Sequence, residues 1–197
     1  MKTLKSILIL SLCILFIDSC KKNNDLGGND PDTAPTGKVE LSKFGMRAYF
    51  PENKWGNQIS EDFNTPGYKM ECIFTYLKDS KMDDQTGYSV HISFMRFISP
   101  FENENKANEM INEIKRIYDE SPDYLSIADV TSTSISSYNA LKMKYKKITS
   151  SSIEESYYIY WEKRLYRIVV VMPEDKISNY YAGCMEIINT LKITGKD

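Results

Sequence analysis

Apolar and polar residues alternate in three stretches of the first half of the chain, which is the side-chain period of a β-strand. The first stretch, Met46–Phe50, stops at Pro51. Two longer stretches, Tyr68–Leu77 and Gly87–Ile98, are joined by the segment KDSKMDDQT, whose composition is typical of a hairpin loop. The pattern therefore predicts one short strand followed by a β-hairpin.

The hydrophobic period lengthens to that of an α-helix in two later segments. From Glu102 to Glu120, apolar residues recur every three or four positions with Glu and Lys opposite them, and Pro122 follows. The segment from Asp175 to Leu191 has the same character. Its apolar stripe consists of Ile177, Tyr180, Tyr181, Cys184, Ile188 and Leu191. Each helix has one apolar stripe, so each is predicted to cover a sheet face.

Period two returns between the two helices. Four strands are predicted there, at Ala128–Ser136, Ala140–Ile148, Ser156–Trp161 and Leu165–Met172. Short links join them in pairs, so the sheet should be mainly antiparallel. The run Val169–Val171 predicts that the last strand is central and covered on both faces. The pattern as a whole predicts an α+β fold, a mainly antiparallel β-sheet packed with two amphipathic helices.

The order of these elements resembles the PsbP/DcrB-like fold. The resemblance is carried by the early strand with Pro and Trp in MRAYFPENKW, the strands of YYIYWEKRLYRIVVV, and the closing helix that leads into LKI. It extends over about Lys43 to Ile193 and implies an α/β/α sandwich. Members of that fold are mostly binding, assembly or accessory proteins without a shared active site, and several are bacterial envelope lipoproteins. The resemblance therefore implies no catalytic residue.

The amino-terminal segment has the composition of an export signal. Lys2 and Lys5 precede the apolar run Ile7–Ile17. A helix that spans a bilayer needs about 20 residues, so this run is too short to remain as an anchor. Residues 1–19 are therefore predicted to be a signal peptide that is removed on export.

The end of that signal resembles the lipobox of bacterial lipoproteins. Ile17, Ser19 and Cys20 match its pattern of an apolar residue, small residues and a cysteine, whereas Asp18 departs from it. The resemblance implies that Cys20 is the lipid-bearing first residue of the mature chain, and the alternative is an ordinary secretory signal. A lipid there would anchor the protein to a membrane. Lys21 follows Cys20 directly, in place of the aspartate that keeps many lipoproteins of this class in the inner membrane. The resemblance therefore implies the outer membrane, facing the periplasm, with cell-surface display left open.

Residues 20–37 separate the predicted anchor from the folded part. The segment after Cys20 is rich in Asn, Asp, Gly and Pro and has no apolar periodicity. Such a composition buries too little apolar surface to offset the entropy of ordering, so it predicts a lipid-anchored flexible tether. Residues 38–197 remain as a single α+β domain, which is large enough to enclose a hydrophobic core.

Charge and cysteine content limit the classes of partner and the covalent cross-links that the chain can have. The formal net charge is -2 and the basic residues are dispersed, which argues against nucleic acid as a partner. Cys72 and Cys184 remain in the predicted domain. They either pair in an oxidising compartment or stay as free thiols in the core, because each lies within an apolar pattern.

Familiar catalytic and metal-binding motifs are missing from the sequence. His91 is the only histidine, which excludes HExxH and His-rich metal sites. A lone strand histidine is more typically a cross-strand hydrogen-bonding residue than a general base. Asp79, Asp83 and Asp84 offer oxygen ligands for calcium, but their spacing fails the EF-hand pattern and favours a solvated turn.

Two pairs of adjacent carboxylates, Glu61 with Asp62 and Glu154 with Glu155, are the remaining candidates for acid-base chemistry. Adjacent residues of a strand point to opposite faces, which disfavours either pair as the catalytic carboxylates of a glycosidase. The prediction is a protein without enzymatic activity, cofactor or metal.

Aromatic residues are concentrated in the last predicted hairpin. It carries Tyr157, Tyr158, Tyr160, Trp161 and Tyr166. Aromatic residues on both faces of a strand predict that some lie outside the main core, where rings with a polar tip suit a sugar or a protein partner. The alternative is ordinary packing, with both faces of the sheet covered by the helices.

These patterns predict a lipid-anchored binding or accessory protein of the cell envelope. The expected partner is an unidentified envelope protein, held on a sheet surface or in a groove beside the helices. A glycan or small apolar ligand on the aromatic hairpin is the second prediction, and an enzyme with an unfamiliar arrangement of catalytic groups is the third.

Overall fold

A computed structural model describes residues 36–65, 68–80 and 89–195, all of which belong to one compact unit. The predicted signal peptide, Cys20 and nearly all of the predicted tether lie outside the described residues, and so do Asp83 and Asp84. Within the described residues, no helix combines the length and the apolar character that a membrane crossing requires.

Ten strands and two α-helices make up the described part of the chain. The strands before the first helix are β1 (Lys38–Lys43), β2 (Met46–Pro51), β3 (Trp55–Thr65), β4 (Tyr68–Leu77) and β5 (His91–Phe97). Helix α1 (Glu104–Glu120) is followed by β6 (Tyr124–Ile135), β7 (Tyr138–Lys147), β8 (Ser152–Trp161) and β9 (Arg164–Pro173). A 3-10 turn (Glu174–Lys176) leads into α2 (Ile177–Ile188), and β10 (Lys192–Ile193) comes last.

Seven of these strands form one antiparallel sheet in the order β3-β4-β5-β9-β8-β7-β6. Strand β9 lies in the middle, as its valine run predicts. A second, three-stranded antiparallel sheet has the order β1-β2-β10. The predicted fold class, a mainly antiparallel α+β fold with two helices, is therefore confirmed.

Strands β1 and β3 are the main departures from the sequence prediction, which contains neither. β1 is short and largely polar, and it is held by a two-residue turn in which Phe44 (φ 56) and Gly45 (φ 70) both have left-handed backbone angles. Such turns match the twist of a hairpin. β3 is an edge strand that begins WGNQ, so its sequence lacks the apolar alternation of the inner strands.

The larger hydrophobic core lies on the face of the seven-stranded sheet that is covered by α2 and the three-stranded sheet. Alternate residues of the inner strands point into it, among them Phe94, Tyr157, Tyr166 and Ile168. The facing layer includes Met46 and Phe50 of β2 and Cys184, Ile187 and Ile188 of α2. Two covering elements lie side by side here, so apolar side chains fill this face.

The opposite face is covered by α1. The side chain of Asn103 caps this helix by accepting a hydrogen bond from the backbone N–H of Lys106 at 3.1 Å. Ala107, Ile111 and Ile114 form its buried stripe. Seven strands span roughly 30 Å and one helix with its side chains is about 10–12 Å wide, so α1 covers only part of the face.

Candidate functional site

Two cavities adjoin α1, one near each of its ends. The Arg167 cavity lies beside the C-terminal end of α1, where Tyr118 meets strands β3, β4, β5, β8 and β9. The Trp161 cavity lies beside the N-terminal end, where Glu104 and Asn108 of α1 meet the β6–β7 hairpin and the end of β8. Both are candidate binding sites.

The Arg167 cavity has a volume of about 620 Å³, within the range of about 300–1,000 Å³ that ligand pockets usually have. Its walls are mainly apolar. They are formed by Ile59, Phe74, Met95, Val169 and Val171. A charged pair, Arg167 and Glu154, also lines it together with Gln58, His91 and Ser93, so the cavity combines apolar walls with a group of polar side chains.

That pair is the centre of a buried hydrogen-bond cluster. Arg167 Nη2 donates to Glu154 Oε1 at 2.9 Å and to the Tyr118 hydroxyl at 2.7 Å. The Tyr118 hydroxyl in turn donates to Glu154 Oε1 at 2.7 Å. Ser156 Oγ accepts from Arg167 Nε at 3.3 Å and from Nη2 at 3.0 Å. The side chains of Arg167 and Glu154 are only 7% and 10% exposed, so both charges are held away from bulk water.

Aromatic rings on both sides hold the guanidinium of Arg167 in place. Its central carbon lies 5.4 Å from the ring centre of Tyr118 on α1 and 5.5 Å from that of Tyr158 on β8. Burial alone would lower the pKa of Arg167, but Tyr158, Tyr118 and Glu154 outweigh burial and raise this pKa. Burial raises the pKa of Tyr118 as well. The guanidinium is therefore a permanent, pre-positioned cation.

His91 lies at the same cavity, with its ring 4.7 Å from that of Phe74. It is half-buried and pairs in register with Tyr76 on β4 and Val171 on β9. Cys72 also lines the cavity, and burial raises the pKa of its thiol to about 11. This cysteine is therefore a thiol rather than a reactive thiolate at neutral pH.

Cys72 and Cys184 lie on opposite faces of the seven-stranded sheet and are not joined by a disulfide. Cys72 belongs to the core under α1, and Cys184 to the core under α2. Burial also raises the pKa of Cys184, to about 12. The sequence allows either a disulfide or two free thiols in the core, and in the structure each cysteine is a buried free thiol.

The Trp161 cavity is smaller, about 510 Å³, and more aromatic. The ring of Trp161 meets that of Tyr138 edge to face, with 5.3 Å between centroids and an interplanar angle of 81°. The Tyr138 hydroxyl accepts a hydrogen bond from the backbone N–H of Ile193 at 2.8 Å, which fixes this ring. Trp161 itself is 42% exposed, so a rigid ring supports an accessible one.

The five aromatic residues singled out from the sequence do not form one surface. Tyr157 and Tyr166 are buried in the core under α2, and Tyr158 is buried under α1, where it also reaches the Trp161 cavity. Tyr160 and Trp161 remain as partly accessible walls of that cavity. Both faces of the hairpin are covered, which is why most of its aromatic side chains are packing residues.

The adjacent carboxylates of β8 point to opposite faces, as strand geometry requires. Glu154 pairs with Arg167, whereas Glu155 forms an ion pair with Lys144 at 2.8 Å and accepts a hydrogen bond from the Tyr157 hydroxyl at 2.7 Å. The side chains of Glu61 and Asp62 lie outside the described ones, and Asp79 is exposed. Among the described residues, no group of three or more His, Cys, Asp or Glu is arranged to hold a metal ion.

The sequence prediction does not contain the Arg167–Glu154 pair as a site. One signal for it is present in the sequence, because Arg167 interrupts the apolar run of a strand that is predicted to be central. Arginine is almost never fully buried unless it is paired. A charge inside such a run therefore indicates a buried partner, although the pattern does not say that the partner is Glu154.

Comparison with known proteins identifies the fold of this chain but does not assign it to a family. No family model matches the sequence, and no curated protein matches it. Among solved structures, the cyanobacterial PsbP (CyanoP) of Synechocystis sp. PCC 6803 aligns with a TM-score of 0.54 and 10% identity, covering 84% of this chain and 98% of that one.

A protein of Bacteroides thetaiotaomicron aligns with a TM-score of 0.47 and 8% identity over 76% of this chain; the alignment covers 45% of that longer chain. The similarity to CyanoP extends over the strands and the two helices described above, and it shows that this chain has a PsbP-like fold.

Proposed function

We propose that this protein is a lipid-anchored, non-enzymatic accessory protein of the bacterial cell envelope that holds a protein partner. The apolar run Ile7–Ile17, Cys20 at its end and the polar segment that follows support the anchor. The proposed location is the outer membrane, facing the periplasm. A tether between the lipid and residue 38 would give the domain reach toward a neighbouring envelope protein.

The observation that carries this proposal is the open edge of the seven-stranded sheet at β6. This strand has 12 residues and, within the part of the chain that the structure describes, it pairs on one side only, with β7. Leu125, Ile127 and Val130 are large apolar residues that are 54%, 41% and 36% exposed. A long edge with unpaired backbone groups and exposed apolar side chains is a template on which an extended segment of another protein can add as a strand.

The second half of β6 is the part best suited to such pairing. The register with β7 shifts between Ser126 and Ala128 and again before Thr131, and such irregularities disturb an edge. From Thr131 to Ile135 the register is regular. We therefore place the partner strand along these residues, with apolar contacts extending toward Val130.

Photo-crosslinking in native membranes tests this placement. A photoreactive phenylalanine analogue at Ser134, which is exposed on β6, should capture one specific protein. The matched control carries the same group at Glu109, which is exposed on α1, and it should capture nothing. Failure to capture a protein at Ser134 in folded, membrane-bound protein, or equal capture from Glu109, contradicts the proposed edge.

The anchor has its own test, which is independent of the partner. The mature wild-type chain should begin at Cys20 and carry acyl mass, and Cys20→Ala should remain uncut by the lipoprotein peptidase. Mass spectrometry of the purified protein measures both. A mature chain with an unmodified Cys20 would show that the proposed anchor is wrong and would leave the β6 edge as a separate question.

The Trp161 cavity supports a second candidate function, the binding of a glycan or small ligand. Tyr138, Tyr160 and Trp161 give it flat aromatic walls with polar tips, which suit the apolar face of a sugar ring. The chain has 2 tryptophans, and Trp55 is only 6% exposed, so Trp161 is the accessible fluorophore. Titration with envelope polysaccharides should change its emission.

Trp161→Ala should abolish that fluorescence change, whereas Trp55→Phe should preserve it. If the wild type gives no change across a broad panel of polysaccharides, the second candidate fails. If the change persists in Trp161→Ala, binding occurs elsewhere and the aromatic cavity is not the site.

A further inference from the structure

The Arg167 cavity has a recognition pattern that neither of these functions uses. The Arg167–Glu154 pair is joined by a single short hydrogen bond, between Nη2 and Oε1, rather than by the two parallel bonds of a forked pair. Each partner therefore keeps one atom outside the pair. These atoms are Arg167 Nη1 and Glu154 Oε2.

Neither of these atoms has a hydrogen-bond partner among the described residues. The hydrogen bonds of Arg167 to described residues all use Nε and Nη2, and those of Glu154 all use Oε1. The fully enclosed polar atoms without a partner in the described residues include neither Nη1 nor Oε2. Both residues line the cavity, which therefore contains a cationic donor and an anionic acceptor that have no partner among the described residues.

This arrangement selects for a ligand with the opposite pair of groups. A lone carboxylate would satisfy Arg167 but face Glu154, and a lone amine would do the reverse. A zwitterion satisfies both, with its carboxylate accepting from Nη1 and its ammonium donating to Oε2. The cluster is neutral as a whole, so a neutral zwitterion leaves no uncompensated charge in a poorly solvated site.

The apolar walls specify the rest of the ligand. Phe74, Val169 and Val171 line the same cavity as the charged pair, and so does Ile59, which is 51% exposed. The volume of about 620 Å³ exceeds what a small polar molecule needs. We propose that the Arg167 cavity binds an α-amino acid with a large apolar side chain, holding its carboxylate at Arg167, its ammonium at Glu154 and its side chain against Phe74 and Val171.

Ligand binding also accounts for the fixed orientation of Arg167, which the stability of the fold does not require. A buried ion pair is often no more stabilising than apolar residues of the same volume. The hydroxyls of Tyr118 and Ser156, and the rings of Tyr118 and Tyr158, nevertheless hold this guanidinium in one orientation. A binding site needs charged groups that are preorganised before the ligand arrives, and Arg167 is held in this way at the wall of the cavity.

Calorimetric titration of the purified full chain with L-phenylalanine and L-leucine tests the proposal. One equivalent should bind. Phenylalaninamide, which lacks the carboxylate, and N-acetyl-L-phenylalanine, which lacks the ammonium, should each bind at least about tenfold more weakly, because a charged hydrogen bond is lost in each case. Equal affinity for either derivative would overturn the assignment of a zwitterion, and so would no binding of either amino acid at millimolar concentration.

Two variants locate the site on the protein. The double variant Glu154→Leu with Arg167→Met removes both charges together and avoids an unpaired buried charge, so it should fold and lose binding by at least about tenfold. Val171→Phe narrows the cavity while leaving both charges in place, and it should also weaken binding. Trp161→Phe, in the other cavity, should bind like the wild type. Unchanged binding in the folded double variant would overturn the proposal.

Discussion

The two faces of the seven-stranded sheet are completed in different ways. One face is covered by α2 and the three-stranded sheet, and it holds the larger hydrophobic core. Within the described residues the other face is covered by α1 alone, and it holds the Arg167 cavity with the Arg167–Glu154 pair. The same sheet thus supplies a closed core on one side and an accessible site on the other.

Ion pairs show the same contrast between the faces. On the α2 side, Arg96 pairs with Glu71 and Glu155 with Lys144, and the more exposed partner of each pair is 19% or 29% exposed. On the α1 side, neither Arg167 nor Glu154 exceeds 10%. This difference shows that covering a sheet face only in part does not simply expose the rest of that face to water. It creates recesses in which charges remain desolvated but reachable.

The contrast is tested most strongly by two phenylalanines on neighbouring strands that face opposite ways. Phe94 is 1% exposed in the α2-side core, whereas Phe74 is half-buried at the Arg167 cavity. We expect Phe94→Ala to lower the free energy of unfolding by about 3–5 kcal/mol. Phe74→Ala should cost less than about 1.5 kcal/mol, because this side chain is not enclosed. Urea denaturation measures both, and equal losses would contradict the distinction.

The next effect concerns the polar cluster itself. Glu154→Gln removes the negative charge and leaves Arg167 buried without its counter-ion, so we expect a loss of about 3 kcal/mol in the free energy of unfolding. The double variant Glu154→Leu with Arg167→Met should be close to the wild type, within about 1 kcal/mol. If the double variant is as unstable as Glu154→Gln, the pair contributes to stability and the contrast between the two faces is weaker than described.

The smallest effect concerns Glu155 on the α2 side. Burial would raise the pKa of this carboxyl, but Lys144 and Tyr157 outweigh it, and the pKa lies below the ordinary value of 4.5. A carboxyl whose pKa is lower in the folded than in the unfolded state stabilises the fold at pH values above its unfolded-state pKa. This stabilisation is lost as the pH falls through the folded-state pKa. Glu155→Gln should therefore cost about 1 kcal/mol near pH 7, and the difference should shrink below about pH 4.

Denaturation of wild type and Glu155→Gln across this pH range measures that effect. Glu186→Gln is a suitable control, because Glu186 is 64% exposed and its ion pair with Lys38 is screened by water. A difference between wild type and Glu155→Gln that does not vary with pH would show that Glu155 acts through packing rather than through its charge.

The inner strands and both helices are predictable from the sequence because burial imposes a period on them. β9 is buried on both faces, and its valine run places it in the centre of the sheet. β3 lies at an edge, so solvent tolerates polar residues there and the period disappears. β6 shows the same limit, since it begins at Tyr124 while its alternation is clear only from Ala128.

The sites are less predictable because they depend on which elements meet. Trp161 is a wall of a cavity only because the β6–β7 hairpin brings Tyr138 against it. Arg167 and Glu154 are on neighbouring strands, and Tyr118 reaches them from α1. The composition of the aromatic hairpin shows that its residues are unusual, but the placement of Tyr157, Tyr158 and Tyr166 in two cores follows from the covering layers, which sequence period alone does not locate.

The pairing of β5 with β9 also has a consequence for how the chain reaches its native state. Strands β3 to β5 and strands β6 to β9 are each linked to their neighbours in chain order, whereas the ladder from His91–Val171 to Arg96–Tyr166 joins the two sets across α1. Local hairpins form in microseconds, and contacts between distant segments form more slowly.

We therefore expect closure of this ladder to be the late step of folding. The Arg167 cavity takes Phe74 and His91 from one set of strands and Glu154 and Arg167 from the other. It comes into existence only when the ladder closes, so a ligand held there would slow the unfolding of the whole sheet rather than of one local segment.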